Sequence, residues 1–130
     1  MDLSITTKVV GDSNQAWIAG GTHGIEMARS ITLDSSAFTQ GTHFPDGYIR
    51  SGTPLGRITA TGLYAPYVDA AVDGTGVLAG FLLDPVKPGN PNTIDVGGAL
   101  YEHGRVKESE LPIAIDANGR TDAAGRIIFV

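Results

Sequence analysis

Eighteen glycines and seven prolines punctuate a chain of 130 residues. Glycine frees the backbone for tight turns and proline withdraws a donor, so this spacing leaves little room for long helices. It favours short strands joined by turns. The stretch "SGTPLGRITATGLYAPY", residues 51–67, is typical: three glycines, two prolines and two tyrosines, with no acid, histidine or cysteine. A hydrophobic fraction of 42% is enough to build a core. The expected class is mainly β, a compact domain with one short helix.

The chain is expected to divide near Phe44–Gly47. Residues 1–43 read as an extended N-terminal arm, polar and rich in Ser and Thr, and residues 44–130 as the β-rich domain. Two pieces of the arm alternate with period two, which puts one apolar edge on an extended strand. They are Leu3, Ile5 and Val9, and then Ile31 and Leu33 among Ser30, Thr32 and Asp34. "THGIEMARS" has the makings of one helical turn around Ile25–Arg29.

In the second part Asp73-Gly74 is a strong turn signal, and residues 77–83 are apolar throughout, as in a strand buried on both faces. Pro85, Pro88 and Pro91 make "DPVKPGNPN" a loop that cannot pair as a central strand. "LPIAIDANGRTDAAG" is the best helix candidate, with Pro112 suited to a first turn, Asp116 to an N-cap and Gly125 to a stop. "RIIFV" closes the chain as a strand. The expected domain core is Leu55, Ile58, Leu78, Phe81, Leu82 and Ile128.

Nine Lys and Arg against fourteen Asp and Glu give a net charge of −5. Phosphate binding needs a basic footprint, so no direct nucleic-acid partner is expected. No membrane partner is expected either: a basic amphipathic stretch is missing and "GVLAGFLL" is far too short to span a bilayer. "MDLSITTKVV" does not read as a signal peptide. Without cysteine there is no disulfide and no thiolate nucleophile or ligand.

Signs of catalysis are sparse. His23, His43 and His103 sit in glycine-flanked polar contexts without metal-ligand spacing. "DANGRTD" lacks the glycine and the terminal glutamate of a calcium loop, and "GTGVLAG" is no phosphate loop. An acid and base drawn from Asp69, Asp73 or Glu102 with His103 is awkward, because Glu102 and His103 as neighbours face opposite sides of a strand. The sequence thus points to no enzyme, no cofactor and no metal. Trp17, alone in the polar arm, is either a small satellite core or an anchor on a partner. An isolated pair of strands is marginal in water, so the arm must pack on its own domain or add to another protein's sheet edge.

The order and spacing of several segments resemble the head decoration proteins of tailed phages, the lambda-type capsid-stabilising family. These segments are "DGYIRSGTPLGRI" with Ser51, Gly52, Pro54 and Leu55, and "VDGTGVLAGFLLDPV" with Gly80, Phe81 and Leu82. "GGALYEHGRVKESELP", with Gly104 and Val106 leading to Leu111 and Pro112, and the closing "GRIIFV" complete the set. The resemblance covers roughly residues 46–130. It implies a β-clip type domain, assembled as a homotrimer at three-fold and quasi-three-fold positions on the outside of the head. It also implies synthesis in the host cytoplasm, an arm that reaches the major capsid protein, and a role as cement against packaged DNA. Joined to the alternating arm, it makes Leu3, Ile5, Val9, Trp17, Ile18, Ile31 and Leu33 the expected capsid contacts. The rival expectation is a stand-alone binding module whose loops present Tyr64 and Tyr67.

Overall fold

The computed structural model describes residues 15–20, 24–91 and 93–130. The strands are short, as the glycine and proline spacing requires. β1 (Arg29–Leu33), β2 (Pro54–Arg57), β3 (Tyr64–Pro66), β4 (Gly80–Leu82) and β5 (Val96–Tyr101) close into a barrel in the order β1-β3-β2-β4-β5. β1 runs antiparallel along β5, from Arg29 opposite Leu100 to Leu33 opposite Val96. It also meets β3 in parallel at Leu33 and Tyr64. Closure removes the unpaired edges that isolated strands this short would leave. β6 (Gly104–Val106) and β7 (Ile127–Phe129) form a separate parallel pair, with the six-residue helix α1 (Ala117–Asp122) leading into β7.

β4 and β5 divide the interior. Successive residues on a strand face opposite ways, so Phe81 and Tyr101 enter one core while Leu82 and Leu100 enter the other. The first core gathers Trp17, Leu78, Leu83, Val106, Ala123 and Ile127 around those two rings. The second gathers Ile31, Leu33, Phe38, Ile49, Leu55 and Tyr64. Gly80 permits the close approach of β4 to β5, since a Cβ there would lie 2.5 Å from the Tyr101 carbonyl oxygen. The apolar run 77–83 is therefore buried on both faces at β4, although Val77 before it is exposed.

Trp17 is fully buried. Its indole stands edge-on to Tyr101 at 5.1 Å and tilted against Phe81 at 5.7 Å. Nε1–H donates to Ser51 Oγ at 3.0 Å, and that hydroxyl donates on to the Leu83 carbonyl at 2.6 Å. Gly52, at φ +89°, lies directly beneath: a Cβ there would sit 2.9 Å from the indole and from Pro112. The backbone on either side of Trp17 is also engaged. Lys107 N–H donates to the Trp17 carbonyl, Ala19 N–H donates to Arg105, and Ile18 bridges to Val106.

Several expectations are corrected by this arrangement. β1 is a barrel stave and Trp17 packs in the first core, so described elements on both sides of Phe44–Gly47 share the same packing. The arm looked poor in apolar clusters only because the partners of Ile31 and Leu33 lie on distant strands. The turn at 24–28 ends at Ala28, and Arg29 already begins β1. Ile128, expected in the core, is 55% exposed, whereas Ile127 is 4% exposed. Alternation along β7 turns one in and the other out. Ile58 is half-buried at the end of β2, while Leu55, Leu78, Phe81 and Leu82 are buried as expected.

The loops are closed by side chains. The Pro-rich loop is held by the Ile49–Val86 bridge and by Gly89 N–H donating to the buried Ser35 Oγ at 3.1 Å. Asp116 is the N-cap of α1, accepting from Gly119 N–H at 2.8 Å, but Pro112 lies outside the helix. Arg126 joins several elements: Nη1 donates to Ala79 and Glu102 carbonyls at 2.9 and 3.1 Å, and Nη2 to Leu78 and Asp122 carbonyls at 3.2 and 3.4 Å.

Two predictions follow from the packing and the caps. Trp17→Ala should lose about 3–5 kcal/mol in denaturant unfolding, the usual cost of deleting a large buried ring. Gly52→Ala should lose about 1–2 kcal/mol from the left-handed backbone alone. A loss below about 1 kcal/mol for Trp17→Ala would contradict its place in the core. The second prediction concerns acid. The Gly119 N–H and then the Tyr67 hydroxyl hold the Asp116 carboxyl below its ordinary value, as the Thr75 hydroxyl and N–H do for Asp73. Burial likewise pushes His43 down, and its Nδ1 accepts from Thr39 N–H at 2.8 Å. Each depressed group stabilises the fold above its unfolded pKa and stops doing so as pH falls through its folded value. Thermal midpoints should thus decline in two steps, one beginning near about pH 6.5 for His43 and one below about pH 4 for the aspartates. His43→Gln should remove the upper step. Constant midpoints down to about pH 3 would overturn the assignment.

Candidate interaction surface

The acids considered for chemistry are engaged in structural bonds, and His23 lies outside the described residues. Glu102 is paired with Arg29 at 2.7 Å, and Arg29 also donates to the Tyr64 hydroxyl at 3.3 Å. Asp73 caps its own turn, accepting from Thr75 N–H at 3.0 Å and from the Thr75 hydroxyl. Asp69 accepts from Tyr67 and from Asn118 Nδ2. His103 lines a shallow groove, and His43 accepts from Thr39. No group of three or more His, Cys, Asp or Glu among the described residues is placed to hold a metal ion. No helix among them is long and apolar enough to cross a membrane.

The tyrosines expected as loop anchors are also committed inward. Tyr64 is buried in the second core. The Tyr67 hydroxyl lies 2.8 Å from Asp116 Oδ1 and 3.2 Å from Asp69 Oδ1. Burial, with those carboxylates beside it, raises its pKa well above the ordinary value. This ties the β3–β4 loop to the start of α1 and leaves no free phenol.

The expected capsid contacts separate into three groups. Leu3, Ile5 and Val9 lie outside the described residues. Trp17, Ile31 and Leu33 are interior, so their side chains serve the two cores. Ile18 is half-buried against the first core. What faces outward was not singled out by the residue patterns. On the β3–β4 loop Val72 is fully exposed, and Val68 and Val77 are more than half exposed, with Asp69 and Asp73 between them. The sequence signal was present in "YVDAAVDGTG", where valines alternate with acids and turn formers, but the tyrosines drew the attention.

A second outward surface lies on β6 and β7. Gly104 and Val106 turn inward, so Arg105 between them and Lys107 just beyond face solvent. Ile128 and Val130 are exposed beside them. β7 has β6 on one side and, among the described residues, no strand on the other. A groove of about 410 Å³ runs here, lined by His103, Gly104, Arg105, Gly125, Arg126 and Ile128, with no carboxylate in its walls. Both surfaces combine charge with exposed aliphatic groups on a pinned backbone. Such surfaces suit protein contact, in which apolar groups supply area and charges select the partner.

The comparisons agree with a structural role. No curated protein matches the chain. The family model described as bacteriophage lambda head decoration protein D matches residues 14–126, a span that holds the Trp17 segment, the barrel and α1. The chain belongs to this family of phage head decoration proteins.

Proposed function

We propose that the chain binds the outside of the mature phage head as a trimer, at three-fold and quasi-three-fold positions, and holds the shell against the pressure of packaged DNA. The family match over residues 14–126 carries this reading. Residues 1–14, in whose sequence Leu3, Ile5 and Val9 alternate with polar residues, would add to the major capsid protein by backbone pairing. Synthesis takes place in the host cytoplasm and binding follows from there.

The anchoring of the next residues supports such an arm. Gln15 Nε2 donates to the Leu83 carbonyl at 2.9 Å and to Asp84 at 3.0 Å. Two residues later Trp17 is locked into the core. A pull on the arm is therefore delivered to β4 and β5 and is not taken up by slack chain. Three arms on one trimer raise the effective concentration of the second and third contacts once the first has formed. Cementing is then mass action: a ligand that binds only the expanded lattice stabilises that lattice over states it does not bind.

Deletion of residues 2–14 should abolish binding to purified heads and leave the thermal midpoint unchanged. The deletion must stop before Gln15, because removing Trp17 would damage the core. Undiminished occupancy of heads by the shortened chain would refute the arm as the binding element. Heads carrying the full-length chain should also survive heating to a higher temperature than bare filled heads, measured by DNA release.

A further inference from the structure

The two outward surfaces are complementary in charge. From Ile58 to Val86 the chain has no lysine or arginine, and the β3–β4 loop in this span carries Asp69 and Asp73 beside Val68 and Val72. The β6–β7 surface carries Arg105, Lys107 and Arg126 beside Ile128 and Val130. Among the described residues Arg126 donates to backbone carbonyls and pairs with no carboxylate, so dipoles solvate its charge. Glu108, which follows β6, is already paired with Arg120 at 3.2 Å.

Within one chain Arg126 reaches the base of the β3–β4 loop through the Leu78 and Ala79 carbonyls. Among the described residues no ion pair joins Arg105, Lys107 or Arg126 to Asp69 or Asp73. Helix α1 is joined to both surfaces. Asp116 and Asn118 at its start hold Tyr67 and Asp69 of the loop, and its other end leads through Gly125 into β7. Among the described residues, the carboxylates of the loop thus have no ion partner on the basic surface.

We infer that the occupant of the β6–β7 surface is the β3–β4 loop of a second copy of this chain. The exposed valines of the loop pack on Ile128 and Val130, and Asp69 and Asp73 face Arg105 and Lys107. Because the two faces differ, the contact is head-to-tail, and a head-to-tail contact that closes makes a ring. This inference rests on the proposed trimer and names the surfaces that build it. The loop is suited to the role because its own hydrogen bonds fix its shape: Val68 N–H donates to Thr75 at 3.2 Å and Thr59 N–H to the Asp73 carbonyl at 2.9 Å. Little ordering remains to be done when it docks.

Charge reversal tests the inference, with mass measured by light scattering over a dilution series. Arg105→Glu with Lys107→Glu reverses one face. Asp69→Lys with Val72→Lys reverses the other and leaves the Asp73 turn intact. Each pair alone should weaken assembly at least about tenfold, with a circular dichroism spectrum like that of the unaltered chain. All four changes together in one chain should restore assembly, because the reversed faces again match. Raising salt should weaken the unaltered ring as screening grows. A monomer at every concentration, a dimer as the largest species, unweakened assembly by either pair, or no restoration by the four together would overturn the inference. Head binding by the unaltered chain is measured separately. Its failure would sink the decoration role, whereas binding by the unaltered chain with reversal pairs that still assemble would sink only this contact.

Discussion

The Trp17 side chain determines where the domain begins. Its ring fills the space between Phe81 on β4 and Tyr101 on β5, and its N–H enters a relay through Ser51 to the Leu83 carbonyl. A buried indole N–H left without a partner would carry the full cost of its desolvation, so Ser51 is as necessary as the rings. Gly52 must then lack a side chain, and it takes the left-handed conformation itself at φ +89°. One aromatic residue from an otherwise polar stretch thereby sets the chemistry of "SGTPL". What reads as the start of a small β domain is half of a socket, and the other half arrives from more than thirty residues upstream.

The second constraint is the thinness of the sheet elements. Strands of three to six residues bury few side chains each, so every position has to serve. β4 and β5 meet this by feeding two cores at once, Phe81 and Tyr101 to one side and Leu82 and Leu100 to the other. Gly80 lets the two strands lie close enough for this to work. Arg126 completes the arrangement where regular pairing gives out, supplying N–H donors to carbonyls from β4's approach, the β5–β6 turn and α1. A charged side chain in that place substitutes for the strand that a larger sheet would have had.

How much of this was legible in the sequence depended on how local the cause was. The Asp73-Gly74 turn, the Asp116 cap and the two-sided burial of β4 rest on residues near one another in the chain, and the residues announce each of them. The role of β1 was not legible, because Ile31 and Leu33 become core only when β3 and β5 arrive beside them. "RIIFV" offers no alternation of apolar and polar residues, so it gives no sign of which isoleucine faces in. Tyr64 was misread for the same reason: its burial comes from the barrel and not from its neighbours. Arg126 carries no sequence signal at all, since a hub for carbonyls and a solvated arginine look alike in one dimension. The outward valines were visible, and the tyrosines beside them were mistaken for the surface.

A decoration protein has to resist deformation while making its contacts at its margins, and the fold separates these tasks. The barrel and the aromatic core hold Trp17, Phe38, Phe81, Tyr64 and Tyr101 in the interior. The loop between β3 and β4 and the β6–β7 pair are left to carry exposed aliphatic groups and unpaired charge, and both are pinned by hydrogen bonds to the same helix region. A rigid surface loses little conformational entropy on docking, so modest contact areas suffice when several act together. The acidic loop, the basic edge and the start of the arm each connect to β4 or β5 through only a few bonded residues. All three are thereby tied to the same two strands.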